Sequence, residues 1–108
     1  FVKNPEPEEN IIKIRGLVID LNRYHVTNHG AEVPLTKKDY DLLVHLAKNP
    51  GRVFTREELL EQVWGYEGYY GDIRTVDVAI RRLREKLEAD PTKPEYLFTK
   101  RGVGYYLK

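Results

Sequence analysis

One stretch of the chain, residues 72–88, constrains the fold more than any other. Its sequence, DIRTVDVAIRRLREKLE, places four apolar residues at positions i, i+4, i+7 and i+11, which form one stripe along a helix. These residues are Val76, Ile80, Leu83 and Leu87. Such a stripe stabilises a helix when it packs on a core. The sequence therefore predicts an amphipathic helix here, with Asp72 placed to cap its first turn.

The opposite face of this helix is rich in arginine. Between Ile73 and Arg84 there are four arginines and a single acidic residue, Asp77. A solvated helix face normally interleaves the two signs of charge, so this excess favours contact with an anionic partner. Asp77 itself has two interpretations. It can accept a hydrogen bond from a cytosine amine, or it can pair with Arg74 or Arg81 about one turn away, which is the favoured interpretation.

The charge of the whole chain is unevenly distributed. The 108 residues have a net charge of only +1. Residues 1–35 and 36–71 each carry one more acidic than basic side chain, whereas residues 72–108 carry nine basic and six acidic ones. Local potential decides electrostatic binding more than net charge does. The C-terminal third is therefore the candidate surface for a polyanion.

Several classes of function find no support in the composition. The chain has no cysteine for a thiolate metal site, and His25 and His29 lack the spacing of metal ligands, so we expect no metal and no other cofactor. Glu57, Glu58 and Glu61 have no nucleophile or histidine spaced to join them, so we expect no catalytic residues and no enzyme. No run approaches the ~20 apolar residues of a membrane span, which predicts a cytoplasmic protein without a membrane partner.

The N-terminal third is predicted to form a sheet. Residues 1–10 contain two prolines and three glutamates without periodicity, so they are interpreted as a linker remnant or a frayed terminus. Residues 11–35 contain four short runs of alternating apolar and polar residues between turn signals. This pattern predicts an antiparallel sheet of three or four strands.

Two helices are predicted before the arginine-rich one. The first begins at Thr36, which opens a weak capping box, and stops at the Asn-Pro-Gly sequence of residues 49–51. The second begins at Thr55, where Thr55 and Glu58 form a full capping box, and ends at Gly65.

An aromatic loop and a hairpin complete the chain. Residues 65–71, GYEGYYG, hold tyrosines that either pack on the core or face a partner. Residues 95–108 alternate around a basic tip at residues 100–102 and predict a β-hairpin. Gly102 and Gly104 are interpreted as hairpin-turn residues, because the helix and the Lys-Ser/Thr pair of a phosphate loop are missing.

This order of elements predicts an α+β fold. It is a winged helix-turn-helix with an N-terminal antiparallel sheet, three helices and a C-terminal β-hairpin wing. We expect one domain over residues 11–108, preceded by the linker remnant of residues 1–10.

Five segments of the chain match the pattern of a known family. They are TREELL at 55–60, VWG at 63–65, RTVDV at 74–78, RRLR at 81–84 and RGVGY at 101–105. Through these segments the chain resembles the effector domains of OmpR/PhoB-type response regulators, over about residues 11–108. The WGY…YGD sequence around the aromatic loop is similar to the WalR/VicR subgroup.

The resemblance implies sequence-specific binding of double-stranded DNA, with the third helix in the major groove and the wing in the minor groove, to control transcription in a bacterial two-component system. Val78, an outward apolar residue, suits a thymine methyl group. The residues implied to contact DNA are Arg74, Val78, Arg81, Arg82, Arg84, Thr99 and Arg101, with Trp64 and Arg56 on the DNA backbone.

The resemblance further implies three partners. They are direct-repeat DNA sites bound head-to-tail, a receiver domain absent from this chain, and RNA polymerase. The polymerase-contact loop would comprise Tyr66, Glu67, Tyr69 and Tyr70. The alternative function is a winged helix that binds protein or RNA. The outward arginines and Val78 favour duplex DNA, and single-stranded RNA would favour aromatic residues on the sheet face instead.

Overall fold

The computed structural model describes residues 10–65 and 73–108. The chain divides into two compact units, Phe1–Pro34 and Leu35–Lys108. Each unit is described by itself below. The proposed cap Asp72 and the tyrosines of the aromatic loop lie outside the described residues.

The first unit is a four-stranded antiparallel meander, as the alternating runs predicted. Consecutive strands pair in the order β1-β2-β3-β4, and Ile19 lies opposite Ile12 on one side and Val26 on the other. Ile19 and Val26 are buried, as is Leu17, so one face of the sheet carries the apolar residues. The strands are β1 (Ile11–Ile14), β2 (Leu17–Asp20), β3 (His25–Asn28) and β4 (Ala31–Glu32).

One glycine and two histidines lie in or next to the turns of this sheet. A Cβ atom at Gly16 would lie 2.3 Å from the ring of His29, so a side chain at residue 16 would displace that ring. His25 and His29 are both exposed, and His25 lies 3.4 Å from Glu32. The prediction that both histidines lie on the surface is confirmed.

The second unit begins with helix α1 (Lys37–Ala47). The Thr36 hydroxyl accepts a hydrogen bond from the backbone N–H of Asp39 at 3.2 Å, which satisfies one free donor of the first turn. Only this half of the predicted capping box is used for capping. The carboxylate of Asp39 also accepts hydrogen bonds from Arg82, as described below.

Helix α2 (Arg56–Leu59) has the full capping box that the sequence predicted. The Thr55 hydroxyl accepts from the N–H of Glu58 at 3.0 Å, and the Glu58 carboxylate accepts from the N–H of Thr55 at 2.9 Å. The helix then widens into a π-helical segment (Leu60–Trp64) that stops at Gly65, whose φ is 78°. The sequence predicted the end of this helix at Gly65 correctly but not its wider last turn.

Helix α3 (Arg74–Leu87) is the arginine-rich helix. The predicted stripe of Val76, Ile80, Leu83 and Leu87 is buried together with Ala79, with at most 2% of any of these residues exposed. The amphipathic helix is therefore confirmed, although its first helical residue, Arg74, follows the predicted start by two positions.

The C-terminal hairpin consists of β6 (Leu97–Lys100) and β7 (Gly104–Leu107). A short strand, β5 (Phe54–Thr55), adds to β7, so this sheet has three strands in the order β5-β7-β6. Gly102 has a φ of 77° in the hairpin turn, as expected of a turn glycine. Gly104 was placed in the turn wrongly: it lies in β7, where a Cβ atom would be 1.8 Å from the carbonyl oxygen of Phe54.

Candidate nucleic-acid interface

The outward face of α3 presents three exposed residues in a row. Arg74, Val78 and Arg81 recur at i, i+4 and i+7, opposite the buried stripe. Val78 is 54% exposed, which is unusual for an apolar residue between arginines. This row is cationic, with one apolar side chain at its centre.

Arg82, beside this row, is held by a buried carboxylate. Its Nε and Nη2 atoms donate to the carboxylate of Asp39, with distances of 2.9 to 3.2 Å. Asp39 is fully buried, whereas the Arg82 side chain is 43% exposed. Lys86 adds a second cation at 3.6 Å from the same carboxylate. The ion pair therefore joins α1 to α3 and fixes the guanidinium at the surface.

The charge state of Asp39 follows from these contacts. Burial by itself raises the pKa of Asp39, because it disfavours the ionised form. Hydrogen bonds from Arg82 and Thr36, with the charges of Arg82 and Lys86, outweigh burial, so the net effect lowers the pKa below its ordinary value. The same hydrogen bond raises the pKa of Arg82. The pair is therefore ionised throughout the physiological pH range.

Within the described ranges 10–65 and 73–108, only Asp39 binds the Arg82 guanidinium, and it does so along one edge. A guanidinium has five N–H donors in a planar fork. Asp39 takes the edge formed by Nε and Nη2. The other edge, formed by Nη1 and the second proton of Nη2, is the one that can bind two acceptors of a guanine or a phosphate at once.

Arg84 faces the hairpin. Its Nε donates to the carbonyl oxygen of Leu97 at 3.1 Å, and its Nη2 donates to the Thr99 hydroxyl at 2.6 Å. Its guanidinium carbon also lies 6.0 Å from the centre of the Tyr105 ring. The structure thus brings together Arg84 and Thr99, two residues predicted to contact DNA, through a bond between them.

Asp77 also points away from its own helix. One carboxylate oxygen accepts from Arg56 Nη1 at 2.9 Å, and the other accepts from the Tyr105 hydroxyl at 2.6 Å. Both oxygens are thus bound by other elements, in place of Arg74 or Arg81 on the same helix. The favoured pairing of Asp77 with Arg74 or Arg81 was wrong. It was chosen because the sequence alone identifies only partners three or four positions away on the same helix.

Tyr105 is the least expected member of this cluster. Burial, followed by its hydrogen bond to Asp77 and the charge of that carboxylate, raises the pKa of Tyr105 to about 12. Its hydroxyl is therefore a stable donor. A polar cleft of about 300 Å³ lies alongside, and its lining includes two predicted DNA contacts, Arg56 and Thr99, as well as the backbone of the hairpin turn.

A second depression brings four other predicted residues together. It is an open groove of about 600 Å³, mostly apolar, beside the outward row of α3. Lys38 lies at one wall of this groove. Its Nζ donates a hydrogen bond to the carbonyl oxygen of Val63 at 3.2 Å and lies 5.9 Å from the centre of the Trp64 ring. The groove is lined by Lys38, Trp64, Arg74, Thr75, Val78 and Arg82.

The hairpin tip carries the remaining predicted residue, Arg101. The turn is closed by a hydrogen bond from the N–H of Val103 to the carbonyl oxygen of Lys100 at 2.9 Å. Arg101 and Val103 are exposed. The Arg101 side chain makes no hydrogen bond or ion pair with any residue in the described ranges 10–65 and 73–108.

The predicted residues that the structure describes thus fall into a groove beside α3, a cleft at the hairpin, Arg84 bonded to the hairpin, and two exposed arginines, Arg81 and Arg101. Tyr66, Glu67, Tyr69 and Tyr70 lie outside the described residues. The sequence prediction missed Asp39 and Tyr105, whose partners lie 43 and 28 positions away along the chain. The available signal for Asp39 was its spacing of i, i+4 and i+7 with Leu43 and Leu46, which places an acidic side chain on the apolar face of α1.

The described part of the chain carries neither a metal site nor a membrane-spanning helix. Its His, Asp and Glu side chains do not form any group of three that could hold a metal ion. None of its helices has the length and apolar character needed to cross a membrane.

The elements and their cationic surfaces define a class of protein: a winged helix with an arginine-lined third helix and a basic wing. The sequence model of the family described as "Transcriptional regulatory protein, C terminal" matches residues 30–107. The chain belongs to this family, the DNA-binding domains of OmpR/PhoB-type response regulators.

Solved structures agree with this assignment. The Thermotoga maritima response regulator DrrB, an OmpR/PhoB homologue, is 37% identical with a TM-score of 0.85, over 92% of this chain and 44% of that chain. The Klebsiella pneumoniae RstA DNA-binding domain, in complex with the RstA box, is 38% identical with a TM-score of 0.80, over 90% and 95% of the two chains. The AdeR DNA-binding domain, in complex with an intercistronic region, is 29% identical with a TM-score of 0.76, over 90% and 98%. The chain therefore spans less than half of DrrB but nearly all of the two isolated domains.

Proposed function

We propose that this chain is the effector domain of a bacterial two-component response regulator and binds double-stranded DNA sequence-specifically in the cytoplasm to control transcription. The observation that carries the proposal is the outward face of α3, where Arg74, Val78 and Arg81 are exposed in one row. An α-helix fits the major groove of B-DNA, where arginine binds guanine and an apolar side chain meets the thymine methyl group. Relatives described in complex with DNA support it.

The groove lining supports a division of labour along α3. Arg82 lines the groove together with Val78 and is bound along one edge by Asp39, so it is the proposed base-reading arginine. Arg74 and Arg81, at the two ends of the exposed row, are proposed to bind phosphates or bases. Trp64 lines the same groove and is proposed to touch the DNA backbone.

The hairpin supports the second half of the proposal. Arg101 at the exposed tip is proposed to enter the minor groove next to the site read by α3, where narrow A·T-rich geometry attracts arginine. Thr99 and Arg84 bind one another beside the cleft, and Arg56 lines it. These three residues are proposed to present their remaining donors to phosphates on the strand between the two grooves.

Three partner assignments rest on family membership alone. They are a receiver domain on another part of the protein, head-to-tail binding to direct repeats with centres about 10–11 base pairs apart, and contact of RNA polymerase with Tyr66, Glu67, Tyr69 and Tyr70.

Alanine at Glu67 and Tyr69 should leave DNA affinity within about 0.5 kcal/mol of wild type while impairing activated transcription in vitro. Parallel losses of stability, DNA affinity and transcription would instead make these residues packing residues.

The experiment that tests the proposed function is selection of bound duplexes from a random pool, followed by affinity measurements at several salt concentrations. Roughly five phosphate contacts predict a log–log salt slope near −4 to −5. Arg81→Ala should flatten that slope by about one. Lys93→Ala removes the same charge from an exposed turn beyond the C-terminal end of α3 and serves as the control. Recovery of no consensus sequence and an affinity unaffected by salt would contradict the proposal.

A further inference from the structure

One side of α3 is bonded to the hairpin at three levels. Asp77, Arg84 and Glu88 recur at i, i+7 and i+11, so they lie on one face of the helix or at its end. Asp77 accepts from the Tyr105 hydroxyl of β7, and Arg84 donates to Leu97 and Thr99 of β6. The third level, at Glu88, is the farthest from the exposed row of α3 and has no counterpart in the proposed DNA contacts.

Glu88 binds the start of the hairpin through three consecutive backbone donors. It is only 6% exposed and directly follows the last residue of α3, with an extended backbone. Its Oε1 accepts from the N–H of Glu95 at 2.7 Å, and its Oε2 accepts from the N–H groups of Tyr96 at 3.0 Å and Leu97 at 2.8 Å. No described residue forms a salt bridge with Glu88. The hydrogen bonds to its carboxylate therefore come from backbone N–H groups.

These hydrogen bonds hold together the two ends of the segment that joins α3 to the hairpin, the two elements proposed to contact DNA. Residues 89–94, which separate Glu88 from its first donor, include exposed positions and two prolines, and they do not continue the helix. A connection of that kind does not by itself fix the angle of a hairpin to a helix. The three hydrogen bonds to one carboxylate do so, because they bind the first residues of the hairpin to the helix end with little rotational freedom.

We infer that Glu88 is a positioning residue that holds the hairpin at the angle from α3 at which Arg101 reaches the minor groove. Glu88 does not touch DNA itself and acts through the wing. The inference rests on the proposed function, since it assigns Glu88 a role in that same recognition. A wing that is already placed when α3 enters the major groove loses less conformational freedom on binding, so its contact contributes more to affinity.

The substitution that isolates this role is Glu88→Gln. Glutamine keeps the size and shape of the side chain, but its NH2 group would face backbone N–H groups that need an acceptor, so at least one of the three bonds is lost. Glu85→Gln is the matched control, because it removes the same charge from an exposed position in the last turn of α3.

The test is a double-mutant cycle between Glu88 and Arg101 on the selected duplex, with flanking A·T pairs. We expect Glu88→Gln to weaken binding about three- to tenfold in the wild-type background and less than twofold when Arg101 is already alanine. Glu85→Gln should change affinity by less than twofold in both backgrounds. The non-additivity is what distinguishes positioning of the wing from a general loss of stability.

Several outcomes would overturn the inference. If Glu88→Gln lowered DNA affinity equally with and without Arg101, Glu88 would act on folding alone. If Arg101→Ala bound DNA like wild type, the wing would make no contact for Glu88 to position. If Glu88→Gln does not fold, the same cycle is run with Glu88→Asp, which keeps the charge but withdraws it by one methylene, and the same non-additivity is expected at smaller size. Failure of the wild-type protein to bind any duplex would contradict the proposed function instead.

Discussion

The two cationic regions of the second unit differ in how their arginines are held. On α3, the Arg82 guanidinium is bound along one edge by a fully buried carboxylate, and Arg84 is bound by the hairpin. At the hairpin tip, Arg101 makes no such contact with a described residue. The backbone of the tip is ordered by a turn, whereas its cationic side chain is not held.

This difference has a thermodynamic consequence for recognition. Ordering a long arginine side chain costs up to about 2 kcal/mol of conformational entropy. For Arg82 that cost is met during folding, so the proposed base contact would be made with a preset direction and a wrong base would be penalised. For Arg101 the cost would be met on binding, so the side chain would adapt to the groove it finds. Arg82 is therefore suited to base discrimination and Arg101 to recognition of groove shape.

The largest effect should follow from Asp39→Asn, which removes the buried charge that orients Arg82. We expect a loss of about 1–3 kcal/mol in the free energy of unfolding, because an amide presents an N–H donor to a guanidinium that needs an acceptor. Base preference at one position of the site should also relax. Urea unfolding and duplex selection measure the two effects.

Asp41→Asn is the control for this prediction, since Asp41 pairs with Lys37 at 2.9 Å on the exposed side of the same helix. It should cost no more than about 0.5 kcal/mol. Equal stability of the Asp39 and Asp41 variants would show that the buried pair does not hold Arg82.

A second prediction concerns acid. The pKa of Asp39 is lower in the folded protein than its ordinary value of 3.8. The stability that its ionisation contributes is therefore fully present above that ordinary value and is lost as the pH falls through the lower folded pKa. Unfolding free energies measured from pH 6 down to about pH 2 should fall more steeply for wild type than for Asp39→Asn. Parallel curves would mean that the carboxylate has the same pKa when folded and unfolded.

A smaller effect is expected from Arg101→Ala. Binding should weaken about three- to tenfold on sites with A·T-rich flanks and change little on sites with G·C-rich flanks, because the narrow minor groove of A·T tracts concentrates negative potential. Titration of the same core site with exchanged flanks measures it. An equal loss on both flanks would make Arg101 an ordinary phosphate contact.

An effect of comparable size, confined to one base pair, should come from Val78→Ala at the centre of the exposed row. Loss of two methyl groups from a contact with a thymine methyl should cost about 1 kcal/mol of binding at that base pair. Because Val78 is 54% exposed, thermal stability should hardly change. Replacing the thymine by uracil in the duplex should remove the difference between the two proteins, and a difference that persists would place Val78 elsewhere in the complex.

The elements whose signals are local were predictable from the sequence. The capping box of Thr55 and Glu58 spans three residues, and the stripe on α3 repeats within one helix, so periodicity and spacing were sufficient to find both. The hairpin and the four-stranded meander likewise pair neighbouring segments.

Contacts between distant segments were not predictable in the same way. Asp39 was interpreted as half of a capping box because only its near neighbours were visible, whereas its partner Arg82 lies 43 positions away. The pairing of strand β5 with β7 likewise joins distant segments, and it depends on the close approach of two backbones at Gly104. The sequence identified which residues carry charge, but the side from which each guanidinium is held is a property of the folded chain.

Arg82 is proposed to be preset for base reading, whereas Arg101 is not, and arginine-to-lysine substitution at each position distinguishes the two. Lysine keeps the charge but loses the planar fork. Binding preferences over all single-base variants of the selected site should be measured for wild type, Arg82→Lys and Arg101→Lys under one salt condition. We predict that Arg82→Lys loses preference at one base position, by about 1–3 kcal/mol, while Arg101→Lys keeps the wild-type preferences. Identical base preferences for all three proteins would contradict the account.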